Sequence, residues 1–514
     1  MLLKSSRTNF RRAYGRLSTI VLSLSLCTWC VLAHPLRAKA LEGESGTGPI
    51  GVHPENPHYF ILHGKPTVLI TSAEHYGAVV NKDFDYLAYL DRLKSYGLNY
   101  TRIYPGFLFE PQGKFGNGNT LGPKPWSLVL PWARSKQPGY LFCGNKFDLD
   151  QWNPEYFARL KDFISKAAER DIVVEICFFN AQYSDTWPLS PLYHENNIQG
   201  VGKCDYRDAQ TLKHPDLVRR EEDYTRKITQ EVNSFDNVVL EICDEPFLTG
   251  TPIELAGSWV GHFVELVKDT ESSLPKKHLI AQQLEGPVGG PCDFSAHPDV
   301  PIIVTQYVWE SYMEQMGGMK GLDLEYGHNK PIEFNETAYY PFWYKGDKVG
   351  ASRVEAWEFI VGGGAGFNQL NGVFTAENPA GKTPDNAQIL SALKNLKEFI
   401  YSFDFVKMRQ DKGLIVAGEP SGTFCRAISQ PGEQYAAYLH HSTGGRKEDY
   451  YTVTPGNYVE KLVLKLPAGN YRADWVDPAS GSGVGTESFV HIGGSRTLIT
   501  PNHSVDIALR IKRI

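Results

Sequence analysis

The chain is poor in the features that most often give a function away. It has eight cysteines in 514 residues. Cys27 and Cys30 lie within the first 40 residues, and the other six are widely spaced with no C-x-x-C pair among them. A zinc ribbon and a small disulfide scaffold are therefore excluded. Cys177 and Cys243 fall inside apolar strand-like runs, where cysteine acts as a small hydrophobe. Cys143 and Cys204 fall in predicted loops, where pairing in an oxidising compartment stays open. Phosphate loop, nucleotide fingerprint, metal-ligand spacing and Ser/His/Asp set are all missing, so no cofactor and no metal is called for. The 48 Gly and 32 Pro have no period, and hydrophobic residues at 42% with charged residues at 21% describe a folded globular chain rather than a low-complexity one. Positive charge is also scarce. The first 40 residues hold seven of the 52 Lys and Arg and none of the 58 Asp and Glu, which leaves the remainder at −13. Nucleic acid and anionic membrane are poor partners for such a chain.

What the N-terminus does have is an export layout. Lys4, Arg7, Arg11, Arg12 and Arg16 precede the apolar run 17–33, and Ala38-Lys39-Ala40 offers an A-x-A cleavage site. A membrane anchor needs about 20 apolar residues, and this run is shorter. The expectation is a signal peptide over 1–40, a secreted or periplasmic mature protein, and no membrane contact after cleavage.

From there the pattern alternates. Runs rich in β-branched residues at 67–72, 98–104, 172–178, 237–243, 278–283, 301–307, 331–336 and about 364–370 are separated by helical periodicities such as 83–96, 154–169, 215–233 and 253–270. Asn153 is the expected cap of the second of these helices. The connections after the fifth and sixth strands read as irregular. Eight strands with intervening helices predict an α/β chain folded as a (β/α)8 TIM barrel. The competitor, an open doubly wound sheet, favours a glycine-rich first turn, and none follows 67–72. A helix at about 385–402 closes the barrel. From about 412 helical periodicity stops, and strand-like runs separated by Gly, Pro, Asn and Ser predict a small antiparallel β-sandwich. The expected division is 41–410 for the barrel and 411–514 for the sandwich, which packs on it.

In a barrel the chemistry sits at the C-terminal ends of the strands. The fourth strand ends Leu240-Glu241-Ile242-Cys243-Asp244-Glu245-Pro246, and the seventh runs Lys330-Pro331-Ile332-Glu333-Phe334-Asn335-Glu336. Two carboxylates facing across a barrel mouth suit glycoside cleavage, one as acid and one as nucleophile. Strand-end acids also serve as structural ion pairs, so position alone does not decide.

The motifs add a resemblance. L-E-I-C-D-E-P resembles the x-E-I-x-N-E-P segment, and K-P-I-E-F-N-E the K-P-x-x-x-x-E segment, of the clan A retaining (β/α)8 glycoside hydrolases of cellulase and mannanase type. Residues 245 and 336 are 91 apart, a comfortable length for three βα units. The resemblance covers about 55–405 and implies Glu245 as acid/base and Glu336 as nucleophile. Asn99-Tyr100-Thr101-Arg102-Ile103 resembles that clan's G-x-N-x-x-R-I segment, whose Arg holds the nucleophile ionised; an interior ion pair of Arg102 with Glu241 is the plainer reading. Tyr307 and Trp309 stand where the clan has a His-x-Tyr pair, so Tyr307 is expected to bond the nucleophile and Trp309 to stack on a sugar. Packed aromatics are the alternative for both. His75 and Tyr76 after strand one, and Asn180 after strand three, are expected at the innermost sugar. One residue departs from the pattern: Asp244 stands in place of the Asn that binds the sugar 2-hydroxyl. It accepts a proton but donates none, and it sets a second negative charge beside Glu245, which favours the acid role.

Arg353-Val354-Glu355-Ala356-Trp357 with Gly362-Gly363-Gly364 looks like the R-x-x-A-W…G-G-G stretch of secreted bacterial cellulase-like hydrolases. Leu466-Pro467-Ala468-Gly469-Asn470-Tyr471 with Trp475-Val476-Asp477-Pro478 resembles the signature of their C-terminal sandwich, of the type labelled collagen-binding. Barrel support is the expected role. The combined expectation is a retaining β-glycosidase acting on a carbohydrate. Its rivals are a non-catalytic carbohydrate-binding or adhesive barrel, and an inverting or transglycosylating enzyme on the same scaffold.

Overall fold

The computed structural model describes residues 48–514, apart from 74–75, 112, 115–119, 247, 249, 287–288, 309–316, 338–339, 342–345, 417 and 444–450. The segment 1–40 expected to be a signal peptide, His75 and Trp309 thus lie outside the described residues, as does the side chain of Tyr307. No helix among the described residues is long and apolar enough to cross a membrane.

Eight parallel strands form one sheet: β1 (Leu69–Ala73), β2 (Tyr100–Ile103), β3 (Val173–Asn180), β4 (Val238–Asp244), β5 (Leu279–Gly286), β6 (Ile302–Val308), β7 (Ile332–Phe334) and β8 (Gly366–Leu370). Their order is β1-β8-β7-β6-β5-β4-β3-β2. The seam between β2 and β1 is closed by Asn99. Its backbone N–H donates to the Ile70 carbonyl, its side-chain oxygen accepts from Ile70 N at 3.1 Å, and its amide donates to the Val68 carbonyl at 3.0 Å. The expected (β/α)8 barrel is the observed fold. Its strands are buried on both faces, as the near-continuous apolar runs require.

Helices α1 (Tyr86–Ser95), α2 (Pro154–Ala168), α3 (Pro215–Val232) and α4 (Ile253–Ser272) fill the first connections. Asn153 caps α2 by accepting from Glu155 N, with Pro154 in the first turn. One expectation fails after β6, where the connection contains a helix, α5 (Gly317–Glu325). Its glycines hide the helical signal, yet the fold needs one of them: a Cβ on Gly321 would stand 2.6 Å from Thr305 Cβ on β6. Helices α6 (Lys348–Val361) and α7 (Pro384–Tyr401) complete the ring.

The antiparallel region begins at β9 (Arg409–Gln410), slightly before the expected boundary, because the short turn Phe405–Lys407 already delivers the chain to the sheet edge. With β10 (Phe424–Gln430), β11 (Gln434–His440), β12 (Lys461–Leu466), β13 (Gly469–Val476), β14 (Gly483–His491), β15 (Gly494–Ile499) and β16 (Asp506–Arg513), it forms a sheet ordered β9-β10-β11-β16-β13-β14 and a separate β12-β15 pair. Leu462, Leu464, Trp475 and Leu498 fill the space between them.

The two glycine-rich motifs explain how the sandwich joins the barrel. Arg353 of α6 makes two bonds of 2.9 Å to Asp506, and Trp357 stacks on Tyr438 at 5.7 Å. Asn395 of α7 donates to the carbonyls of Pro478 and Ala479 in the W-x-D-P turn. Gly364 is obligatory at the turn into β8, since a Cβ would stand 2.2 Å from the Phe359 ring. The described cysteines are all free, so the open pairing of Cys143 with Cys204 is not made; Cys143 Sγ donates instead to the Pro125 carbonyl at 3.3 Å.

Candidate active site

Side chains alternate along a strand, so residues two apart share a face. Arg102 of β2 points into the barrel with no solvent exposure and divides its guanidinium among three carboxylates. Nε and Nη2 reach Glu241 Oε2 at 2.6 Å, Nη2 reaches Asp244 Oδ1 at 3.1 Å, and Nη1 donates to Glu336 Oε2 at 3.1 Å. Arg102 is thus an interior ion pair with Glu241 and also touches Glu336 after β7. Burial alone would favour its neutral form, but Asp244 and Glu241 hold it protonated.

Glu336 follows β7 and is 8% exposed. It accepts from the Tyr76 hydroxyl at 2.9 Å. Tyr76 is buried, with its ring 5.1 Å from the Arg102 guanidinium carbon and 4.6 Å from the Tyr104 ring. Tyr76, expected at the innermost sugar, follows the first strand and bonds this carboxylate; the bond expected from Tyr307 falls on a side chain outside those described. Burial and the neighbouring Asp244 push the Glu336 carboxyl well above the ordinary range, against the pull of Arg102. The Arg102 charge acts on Glu336 in the expected direction, towards the ionised form.

Glu245 caps β4 and is 6% exposed. Its backbone N–H donates to Gln283 Oε1 of β5 at 2.7 Å, and its Oε2 accepts from the Tyr183 hydroxyl at 2.7 Å. Tyr76 and Glu245 both have left-handed backbones, with φ of 68° and 52°. For residues that are not glycine this strain costs about 1–3 kcal/mol each, and such strain gathers at functional sites.

Asp244 faces the protein. Its Oδ2 accepts from Tyr104 Oη at 2.5 Å and from Asn180 Nδ2 at 2.6 Å, while Oδ1 meets Arg102. Asp244 is thus the residue on which β2, β3 and β4 converge, and Asn180 is brought beside it rather than apart from it. Sequence reasoning missed Tyr104, Tyr183 and Gln283. Tyr104 had a readable signal, since it lies two residues beyond Arg102 on the same face; Tyr183 and Gln283 had none. Among the described residues no group of three or more His, Cys, Asp and Glu is arranged to hold a metal.

The arrangement gathers two nearly buried carboxylates, just after β4 and β7, each with a phenol donor, and a fixed cation against the second of them. No family model matches the chain, and no curated protein matches it in sequence. Solved structures do match. A glycoside hydrolase shares 12% identity, with 91% of this chain and 97% of that one covered and a TM-score of 0.58. A family 5 glycoside hydrolase from Bacteroides vulgatus ATCC 8482 shares 12% identity, covers 91% of this chain and 94% of that one, and has a TM-score of 0.58. The shared property is the fold, and it extends over the sandwich as well as the barrel.

Proposed function

We propose that the protein is a secreted or periplasmic retaining glycoside hydrolase that cleaves β-glycosidic bonds in an oligosaccharide or polysaccharide. The observation that carries this reading is the pair Glu245 and Glu336. They follow strands four and seven and are almost buried, each with a tyrosine hydroxyl donating to it. The likeness in fold to glycoside hydrolases supports the same class.

In this mechanism Glu336 Oε attacks the anomeric carbon as the bond to the leaving oxygen breaks, and Glu245 gives that oxygen its proton. The ionised Glu245 then takes a proton from water as the water attacks the same carbon, which frees the sugar and restores Glu336. Arg102 and Tyr76 stabilise the anion on Glu336, and Tyr183 orients Glu245. The carboxylates themselves need opposite protonation states, and two acids close together share a proton readily because both cannot ionise cheaply.

Single substitutions test the roles. Glu336→Ala is expected to lose activity on natural and activated aryl glycosides alike, because no covalent intermediate forms. Glu245→Ala is expected to slow natural glycosides strongly and aryl glycosides much less in the first step, with azide restoring turnover. The anomeric form of the first product, read by NMR, separates retention from inversion. Near-normal activity of Glu336→Ala would overturn the assignment.

A further inference from the structure

One layer below the catalytic pair the barrel holds more acid than the reaction uses. Glu175 of β3, Glu241 of β4 and Glu333 of β7 are all fully buried. Glu241 has Arg102. Glu175 Oε1 accepts only from Asn335 Nδ2, at 3.2 Å, and its Oε2 has no partner. Among the described residues Glu333 has no hydrogen-bond partner on either side-chain oxygen. Its neighbours in the sheet are Val304 of β6 and Gly366 of β8, which carry no charge. Gly366 makes the room: a Cβ there would stand 2.5 Å from Glu333 Cγ and 3.0 Å from its Oε1. The charged groups facing Glu333 are Arg102, Glu175 and Glu241, with Asp244 beyond them. Among the described residues Arg102 is the single cation facing it, and all of its nitrogens are already engaged with Glu241, Asp244 and Glu336.

An ionised carboxylate in such a place would be desolvated without a partner, which costs more than taking up a proton. We propose that Glu333 and Glu175 stand in the barrel as neutral acids at neutral pH, and that Glu333 is a positioning residue whose proton leaves Arg102 to Glu336. If Glu333 ionises, it competes for the guanidinium from below and draws it away from the nucleophile. Burial first, and then Glu241, push the Glu333 carboxyl up to about 8 against the pull of Arg102. Burial, Glu333 and Glu241 hold Glu175 well above the carboxylate range. The consequence for rate rests on the glycosidase reading; the proton itself does not.

The sign follows from linkage. The folded value lies above the unfolded one, so the folded protein binds the extra proton, and Glu333 makes stability fall as pH rises from about 4.5 to about 8 and stay level beyond. Glu333→Gln keeps the shape and cannot ionise. Three readings on the whole protein decide the matter. Infrared difference spectra of the wild type are expected to show the C=O stretch of a protonated carboxylic acid at neutral pH, weaker in Glu333→Gln and bleached by titration through about 8. Thermal melts are expected to show Glu333→Gln gaining on the wild type as pH rises to that value. The rate profile on an aryl glycoside, scaled to each protein's own maximum, is expected to lose or displace its alkaline limb in Glu333→Gln by about one pH unit or more. A band unchanged by the substitution, or a stability difference flat with pH, would overturn the neutral acid. An unmoved alkaline limb would overturn the positioning role. The wild-type titration decides the proton if the variant does not fold. A protein inactive on every glycoside would defeat the functional reading while leaving the spectra and melts to decide the proton.

Discussion

Tyr76→Phe probes the phenol donor in the site. The phenol donates to Glu336 Oε2 at 2.9 Å, and its ring is fixed by contact with Tyr104 and Arg102. Phenylalanine keeps that ring and removes the hydroxyl, which also accepts from Arg102 Nη1 at the longer distance of 3.4 Å. Desolvation and the adjacent Glu336 charge hold the Tyr76 phenol far above its ordinary pKa, so at any working pH it is a donor and never a competing anion. A hydrogen bond to a charged group contributes about 1.5–3 kcal/mol. At 1.36 kcal/mol per unit, its loss should raise the proton affinity of Glu336 by roughly one to two units. The proposed mechanism needs Glu336 ionised, so the acid limb of kcat/KM should move to higher pH by that amount. On the acid side the rate should fall about 10- to 100-fold, with a smaller loss at the optimum. The assay is a pH profile of kcat/KM on an activated aryl glycoside, for which departure needs little acid help, so that Glu245 does not dominate the limb. A rate that falls equally at every pH, with the limb in place, would refute the claim that Tyr76 acts by stabilising the anion. A profile identical to the wild type would refute the contact.

Two further outcomes follow from other parts of the chain. Glu358 of α6 is fully buried, and although burial pushes its carboxyl up, His440 and Arg426 of the sandwich, with the Tyr451 hydroxyl, pull it below the ordinary range overall. Its contribution is therefore present above the unfolded carboxylate value and lost as pH falls through the folded one. Glu358→Gln should cost about 3–5 kcal/mol at neutral pH, as breaking a buried ion network does, and the gap should narrow in urea melts at acid pH. N-terminal sequencing of the exported protein should begin near Leu41, and a mature chain still starting at Met1 would overturn the signal-peptide reading.

The eight strands were legible because each is a short apolar run between polar helices, and burial on both sheet faces leaves no other composition for such a strand. Helix α5 was not, because the residue that lets it approach β6, Gly321, is also the residue that erases helical periodicity. Packing demanded what propensity argues against. Glu245 and Glu336 were legible for a similar reason as the strands: a carboxylate at a strand end beside Pro246, or six residues after Lys330-Pro331, is a local pattern. Their partners are not local. Tyr76, Tyr183 and Gln283 come from three other strand ends, and no spacing along the chain announces that they meet.

Tyr76 shows the same non-local meeting, since its hydroxyl donates to Glu336 across 260 residues of chain. Tyr76 reaches it because a left-handed backbone at φ 68° turns it into the barrel mouth after β1, over the Arg102 guanidinium. A bulky residue takes up that conformation only where its surroundings hold it there, and here they do: its hydroxyl is anchored on Glu336 and its ring lies between Tyr104 and Arg102. Glu245, at φ 52°, is held in the same way by Gln283 and Tyr183. Tyr76 and Glu245, two of the five non-glycine residues with positive φ among those described, therefore bear on the two carboxylates; under the proposed function, strain at these two fixes geometry before a substrate arrives, the arrangement that electrostatic preorganisation requires.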